Sequence, residues 1–182
     1  MLLNNRAVAR ACQGNLNDAY SDFESAIVLS DGKDTAHLLA TLGLIAYRSG
    51  MLDLGAECYS KSIAWFNETK DKASAVLAML FFLREYTKVE KDIIPFASDM
   101  SKKICNSPLS QQLPELKGLA NLIISEINLT DASSFKYQLH ASKEDIANQA
   151  KKFSIPNKAL ISISTSNDPA RFLNLLVQKV GV

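Results

Sequence analysis

A chain of 182 residues, 47% of them hydrophobic, carries enough apolar material for a buried core, which excludes disorder as its resting state. Its 20 Lys and Arg nearly cancel its 19 Asp and Glu, so no long-range field draws it to nucleic acid or an anionic membrane. Cys12, Cys58 and Cys105 stand far apart without a CxxC pair, which excludes a disulfide framework or a zinc knuckle. They read as small buried hydrophobes in a reducing compartment, and localisation is expected to be cytoplasmic.

The N-terminus lacks the uninterrupted apolar run of a secretory signal, because Asn4, Asn5, Arg6 and Arg10 break it. Leu3, Ala7 and Ala11, then Leu16, Ala19, Phe23 and Ala26, keep helical spacing on either side of Gly14-Asn15. This predicts two short antiparallel helices. Gly14 supplies the left-handed conformation that ends the first, and Ala7 and Ala19 let the pair approach closely. Ser30 to Asp34 is a turn cluster, with Asp34 a candidate N-cap.

The same pattern returns 36 residues on, with Gly43 for Ala7, Gly50 for Gly14, Gly55 for Ala19, Tyr59 for Phe23 and Ser62 for Ala26. A period of this length marks stacked helical hairpins, none of which buries its own apolar face alone. The arrangement resembles the tetratricopeptide repeat, on Asn5-Arg6-Ala7, Gly14, Ala19, Phe23 and Ala26 in the first copy. The departures are a period of 36 rather than 34, Arg10 where the family has an aromatic, and no closing proline. The resemblance implies an all-α fold, a right-handed superhelix of antiparallel helix pairs, covering residues 1–129.

A third, decayed unit follows, with Val76, Leu80 and Leu83, then Phe96 in phase but no turn glycine and Asp92 at the small position. The apolar stretch Ala73 to Leu83 is about eleven residues, short of the roughly twenty that span a bilayer, and predicts a buried helix. Pro95 places a helix start near Ile94 or a kink there. From Pro114 to about Ile127 the stripe of Leu116, Ala120, Ile123 and Ile127 predicts a capping helix for the array. The first repeat helix begins almost at Met1 without a polar capping element. The expectation is therefore that the chain is the C-terminal portion of a longer polypeptide, or that it self-associates at this end.

Residues 130–182 read as a separate helical cap or small subdomain. Ser142 caps an amphipathic helix with Ile146, Ala147, Ala150 and Phe153 on one side, stopped by Ile155-Pro156. Lys158 to Thr165 fits a strand or a short helix, and a last helix starts at Asn167-Asp168-Pro169. Glu144 to Ile163 has the outline of a DNA-reading helix-turn-helix, but its basic footprint is confined to Lys143, Lys151, Lys152 and Lys158. Packing against the repeats is the expected role.

No catalytic constellation is present. His37 and His140 have no Cys, Ser or carboxylate at triad or metal spacing, the seven glycines form no phosphate loop, and Glu85, Glu90, Asp92 and Asp99 alternate with lysines as a solvated face does. The expectation is a non-enzyme without cofactor or metal. By the phase of the family's inner face, a partner groove is lined by Asn5, His37, Thr41, Leu44, Tyr47, Arg48, Phe81, Arg84 and Glu85. Leu44, Tyr47 and Phe81 would hold a helix or extended peptide, and Arg48 and Arg84 would pair with its carboxylates. Asn5 matches the family's chaperone-tail clamp, but His37 and Thr41 replace its basic residues, so that ligand is not expected. The resemblance thus implies a non-catalytic scaffold for a protein or peptide. The alternative is the regulatory part of a larger effector enzyme or a transcriptional regulator.

Overall fold

Helix propensity, turn chemistry and the apolar period agree along most of the chain. A computed structural model describes residues 1–30, 32, 34–128 and 141–153, and all regular structure among them is helical. The helices are α1 (Leu2–Cys12), α2 (Leu16–Leu29), α3 (Thr35–Arg48), α4 (Leu52–Glu68), α5 (Lys72–Val89), α6 (Ile94–Cys105), α7 (Pro108–Gln112), α8 (Pro114–Asn128) and α9 (Lys143–Lys152). The strand-or-helix segment 158–165, the helix from Asn167, His140 and most of the helix-turn-helix outline lie outside the described residues.

The chain divides into two units. Residues 1–62 with 141–153 form the first, residues 63–128 the second, and the division falls inside α4.

In the first unit, α1 and α2 pair antiparallel around Ala7, Ala11, Leu16, Ala19 and Phe23, all excluded from solvent. Burying a Leu or Phe this fully contributes about 1.5–3 kcal/mol each. α3 and α4 cross where the sequence is smallest. A Cβ built on Gly55 would overlap Tyr47 Cδ2 and come 3.0 Å from the Gly43 carbonyl; one on Gly43 would meet Tyr59 Cδ2 at 3.0 Å and the Gly55 carbonyl at 3.2 Å. Backbone therefore touches backbone, each tyrosine ring lying over the other helix's glycine. Ser62 does more than stay small: its buried hydroxyl donates to the Ala36 carbonyl at 2.7 Å, tying the middle of α4 to the start of α3.

The turns repeat as faithfully as the helices. Gly14 (φ 86°) and Gly50 (φ 82°) take the left-handed conformation, their N–H groups donating to Ala11 and Tyr47, while Asn15 and Met51 N–H reach back to Arg10 and Ala46. This is the Schellman closure, which satisfies carbonyls that a helix end otherwise leaves open. Between α4 and α5 the same bonds recur, Lys70 to Asn67 and Asp71 to Phe66, with Lys70 (φ 61°) standing in for the glycine. Asn15 and Asp71 then accept from the backbone N–H of Asp18 and Ser74 as N-caps. Asp34 holds the N-cap position of α3 but makes no side-chain capping bond.

In the second unit, α5, α6 and α8 bury Met79, Leu80, Leu83, Ala97, Ile104, Leu116, Ala120 and Ile123. α5 and α6 are joined by a 3-10 turn (Lys91–Ile93), where Asp92 is exposed and Ile93 buried. α6 starts at Ile94 with Pro95 in its first turn, where the missing N–H breaks no helical bond. The helix expected from Pro114 to about Ile127 is α8.

α9 carries a full capping box: Ser142 Oγ accepts from Asp145 N–H at 3.1 Å while Asp145 Oδ2 accepts from Ser142 N–H at 2.9 Å. Ile146 and Ala150 are buried, and the helix packs on α3. Lys61 of α4 donates to the Phe153 carbonyl at 3.0 Å. The helix ends at Lys152, ahead of the stop read at Ile155-Pro156.

Candidate functional site

Placed on the structure, the residues read as a groove divide sharply. In the first unit Asn5 is exposed and His37 half-buried, whereas Thr41, Leu44, Tyr47 and Arg48 are buried. Thr41 Oγ1 donates to the His37 carbonyl one turn back. The Arg48 guanidinium, 6% exposed, donates from Nη1 to the carbonyls of Ala11 (2.5 Å) and Cys12 (3.0 Å), the last residues of α1. A cation at a helix C-terminus satisfies open carbonyls and opposes the negative end of the helix dipole. Arg48 is thus a bolt between α3 and α1, not a cation offered to a ligand.

In the second unit Phe81 is half-buried. Arg84 forms a two-pronged pair with Glu126 of α8, at 2.9 Å from Nε and 2.7 Å from Nη2. Glu85 belongs to no solvated face: it is buried and pairs with Lys88 at 3.1 Å. Both arginines expected to meet a partner's carboxylates therefore already meet acceptors within their own unit.

Of the three cysteines only Cys58 is fully buried, and burial pushes its thiol far above the ordinary range. Cys12 and Cys105 are half-buried, and the Cys105 thiol donates to Asn121 Oδ1 at 3.2 Å. No cluster of three His, Cys, Asp or Glu capable of holding a metal exists among the described residues, and no helix among them is long and apolar enough to cross a membrane. Leu2, Val28 and Leu29 stand exposed at the open end of the α1–α2 hairpin.

One concave site in the first unit draws on residues that sequence reading left aside. Asn17, Tyr20, Ser21 and Glu24 fall on one face of α2; Ala141, Asp145, Asn148, Gln149 and Lys152 fall on one face of α9 and its approach. Together they line an open cleft of about 510 Å³. Gln149 Nε2 donates to Glu24 Oε1 across it at 3.2 Å. Tyr20 is only 7% exposed, and its hydroxyl lies beside Gln149 and Glu24 without bonding to either in hydrogen-bond geometry; Gln149 Oε1 is likewise buried without a partner. Burial pushes the Tyr20 phenol up, and the Glu24 charge adds to the effect, so the ring is neutral at neutral pH. The Ser142 hydroxyl and N–H hold Asp145 below the usual carboxylate range, so it is ionised there. The spacing of Tyr20 and Glu24, one helical turn apart, was visible in the sequence. Their meeting with α9, more than a hundred residues on, was not.

The described residues therefore define an all-α protein. No family model matches the chain, and neither a curated protein nor a solved structure matches it.

Proposed function

We propose that the chain is a non-catalytic interaction module of tetratricopeptide-like build, its helix hairpins wound in a right-handed superhelix that receives a protein or peptide partner on the inner face. One observation carries the reading. The 36-residue echo is matched by two helix pairs with the same left-handed glycine turn and small residues at the same positions, Ala7 and Ala19 in one and Gly43 and Gly55 in the other. Hairpins of this kind stack through their neighbours and use the surface so formed for recognition. On the inner face of the first unit, Asn5 and His37 are the accessible polar groups of the expected set, with Val8 and Cys12 half-buried beside Asn5 on α1. Thr41, Leu44, Tyr47 and Arg48 then shape the face from beneath. Near-neutral charge favours a partner chosen by shape and apolar contact over nucleic acid or membrane.

The test is selection of peptides from a random display library on the intact chain, followed by titration of a selected peptide with backbone amide shifts as readout. Saturable binding that moves the amides of Asn5 and His37, and weakens about tenfold when both are changed to Ala, is the expected result. A library yielding no saturable binder, or a binder indifferent to both changes, rejects the proposal.

A further inference from the structure

The cleft between α2 and α9 combines three features that bear on a ligand. Its volume, about 510 Å³, lies within the range of small-molecule and side-chain pockets. Two buried oxygens beside it, Tyr20 Oη and Gln149 Oε1, have no hydrogen-bond partner, although buried polar atoms in folded proteins almost always find one. Among the described residues, its charged lining consists of two carboxylates, Glu24 and Asp145, against one cation, Lys152.

The missing chemistry is that of a donor. Gln149 Oε1 can only accept, Tyr20 Oη can accept while its proton turns toward Glu24, and Glu24 has a carboxylate to share. An anion would meet net negative charge. A bare metal ion lacks its ligand set, for no three metal-ligating side chains converge among the described residues. A compact ammonium satisfies part of the site, but it is strongly hydrated and has no flat face. A guanidinium is weakly hydrated and presents five N–H groups in one plane, so it can serve several acceptors at once. Because the cleft is open, the ligand's remaining atoms can stay outside, as the backbone of a presented side chain does.

We propose that this cleft binds the guanidinium of an arginine side chain displayed by a partner protein. The Gln149 amide releases Glu24 as the guanidinium arrives, Glu24 pairs with the incoming cation, and the Gln149 and Tyr20 oxygens accept its remaining N–H groups. The site is distinct from the inner face described above, and its failure would leave that reading untouched.

Calorimetry on the intact chain tests the proposal with four probes. Three are capped tripeptides, identical except for a central Arg, citrulline or Lys, and the fourth is agmatine, a free guanidinium. The Arg peptide is expected to bind saturably, about tenfold or more tighter than citrulline, its uncharged isostere, and tighter than Lys and agmatine. Glu24→Gln should weaken Arg-peptide binding about tenfold. Tyr20→Phe, which removes an unsatisfied buried hydroxyl, should weaken it while leaving Tm unchanged or raised; a purely structural tyrosine would leave binding intact. Equal binding of Arg and citrulline peptides, no saturable binding, or indifference to Glu24→Gln in a variant that melts like the parent overturns the proposal. Agmatine binding as tightly as the Arg peptide overturns the assignment to a partner protein.

Discussion

Gly43 and Gly55 face each other across the α3–α4 crossing, each carbonyl lying where the other residue's side chain would have to go. Glycine inside a helix ordinarily destabilises it by about 0.5–1 kcal/mol relative to alanine, so two at one crossing need a packing reason. The reason is contact: the Tyr47 and Tyr59 rings fill the flanks, and no room is left for a methyl group. Gly55→Ala is expected to lower stability by about 1–3 kcal/mol despite its better helix propensity, because the added carbon drives into the Tyr47 ring. Gly118→Ala, on α8 with nothing within 4 Å of the new Cβ, should raise stability by about 0.5–1 kcal/mol. Urea unfolding of both variants checks the opposite signs; equal signs would mean that the α3–α4 crossing is looser than described.

Lys70 adopts the conformation that Gly14 and Gly50 adopt in the corresponding turns. A residue with a Cβ in the left-handed region is strained by roughly 1–2 kcal/mol, partly offset by the lower chain entropy it brings to the unfolded state. Lys70→Gly is therefore expected to stabilise the protein by about 0.5–1 kcal/mol, read as a higher thermal midpoint. Lys70→Ala, which keeps the Cβ and removes the charge, should show no such gain. A gain of equal size in both would trace the effect to charge instead.

The helices were legible because their signals are local. Gly14 and Gly50 announce turns, Pro95 announces a helix start, and Ser142 announces an N-cap; each depends on residues within a few positions. The Lys70 turn carried no such mark, since lysine reveals nothing of a left-handed φ. What the sequence concealed is the direction in which polar side chains resolve. Arg48 and Glu85 sit at positions where the repeat phase allows either an open face or a partner inside the fold, and only tertiary neighbours decide between them. Ser62 looked like a small residue because it is one, and its bond to Ala36 needs coordinates to be seen. The α2–α9 cleft was hidden for a different reason: Glu24 and Gln149 are 125 residues apart, and no periodicity links them.

Arg48 follows from the same distinction. Its guanidinium holds the two carbonyls that end α1, in a place where water does not reach it freely. Removing the donor takes one hydrogen bond from each carbonyl, although Ala11 keeps the Gly14 N–H, at a cost of about 1–3 kcal/mol in all. Arg48→Met keeps much of the apolar stem and should destabilise the chain by about 1–3 kcal/mol, with far-UV circular dichroism at low temperature little changed. Arg48→Lys retains charge but not the reach and planarity of the guanidinium, and should recover only part of the loss. Full recovery by lysine would show that charge at the helix end, rather than the paired bonds, is what α1 requires.

Asp22 supplies the pH dependence. This buried carboxylate of α2 accepts from Arg6 at 2.8 and 2.7 Å and from Arg10 at 2.8 Å, clasping two consecutive turns of α1. The Arg6 hydrogen bonds, and then the charge of Arg10, hold its pKa below the usual carboxylate range against the opposing effect of burial. A depressed folded-state pKa means that the unfolded chain takes up the proton first, so the clasp stabilises fully above the unfolded value, near 4. That stabilisation is lost as pH falls through the lower folded value. Asp22→Asn keeps the shape and removes the charge. Its unfolding midpoint in urea should lie below that of the parent at pH 7 and pH 5, and the gap should narrow at pH 3 and below as the parent's own carboxylate is protonated. A gap as wide at pH 2 as at pH 7 would assign the loss to the changed hydrogen-bond geometry of the amide rather than to the ion pair.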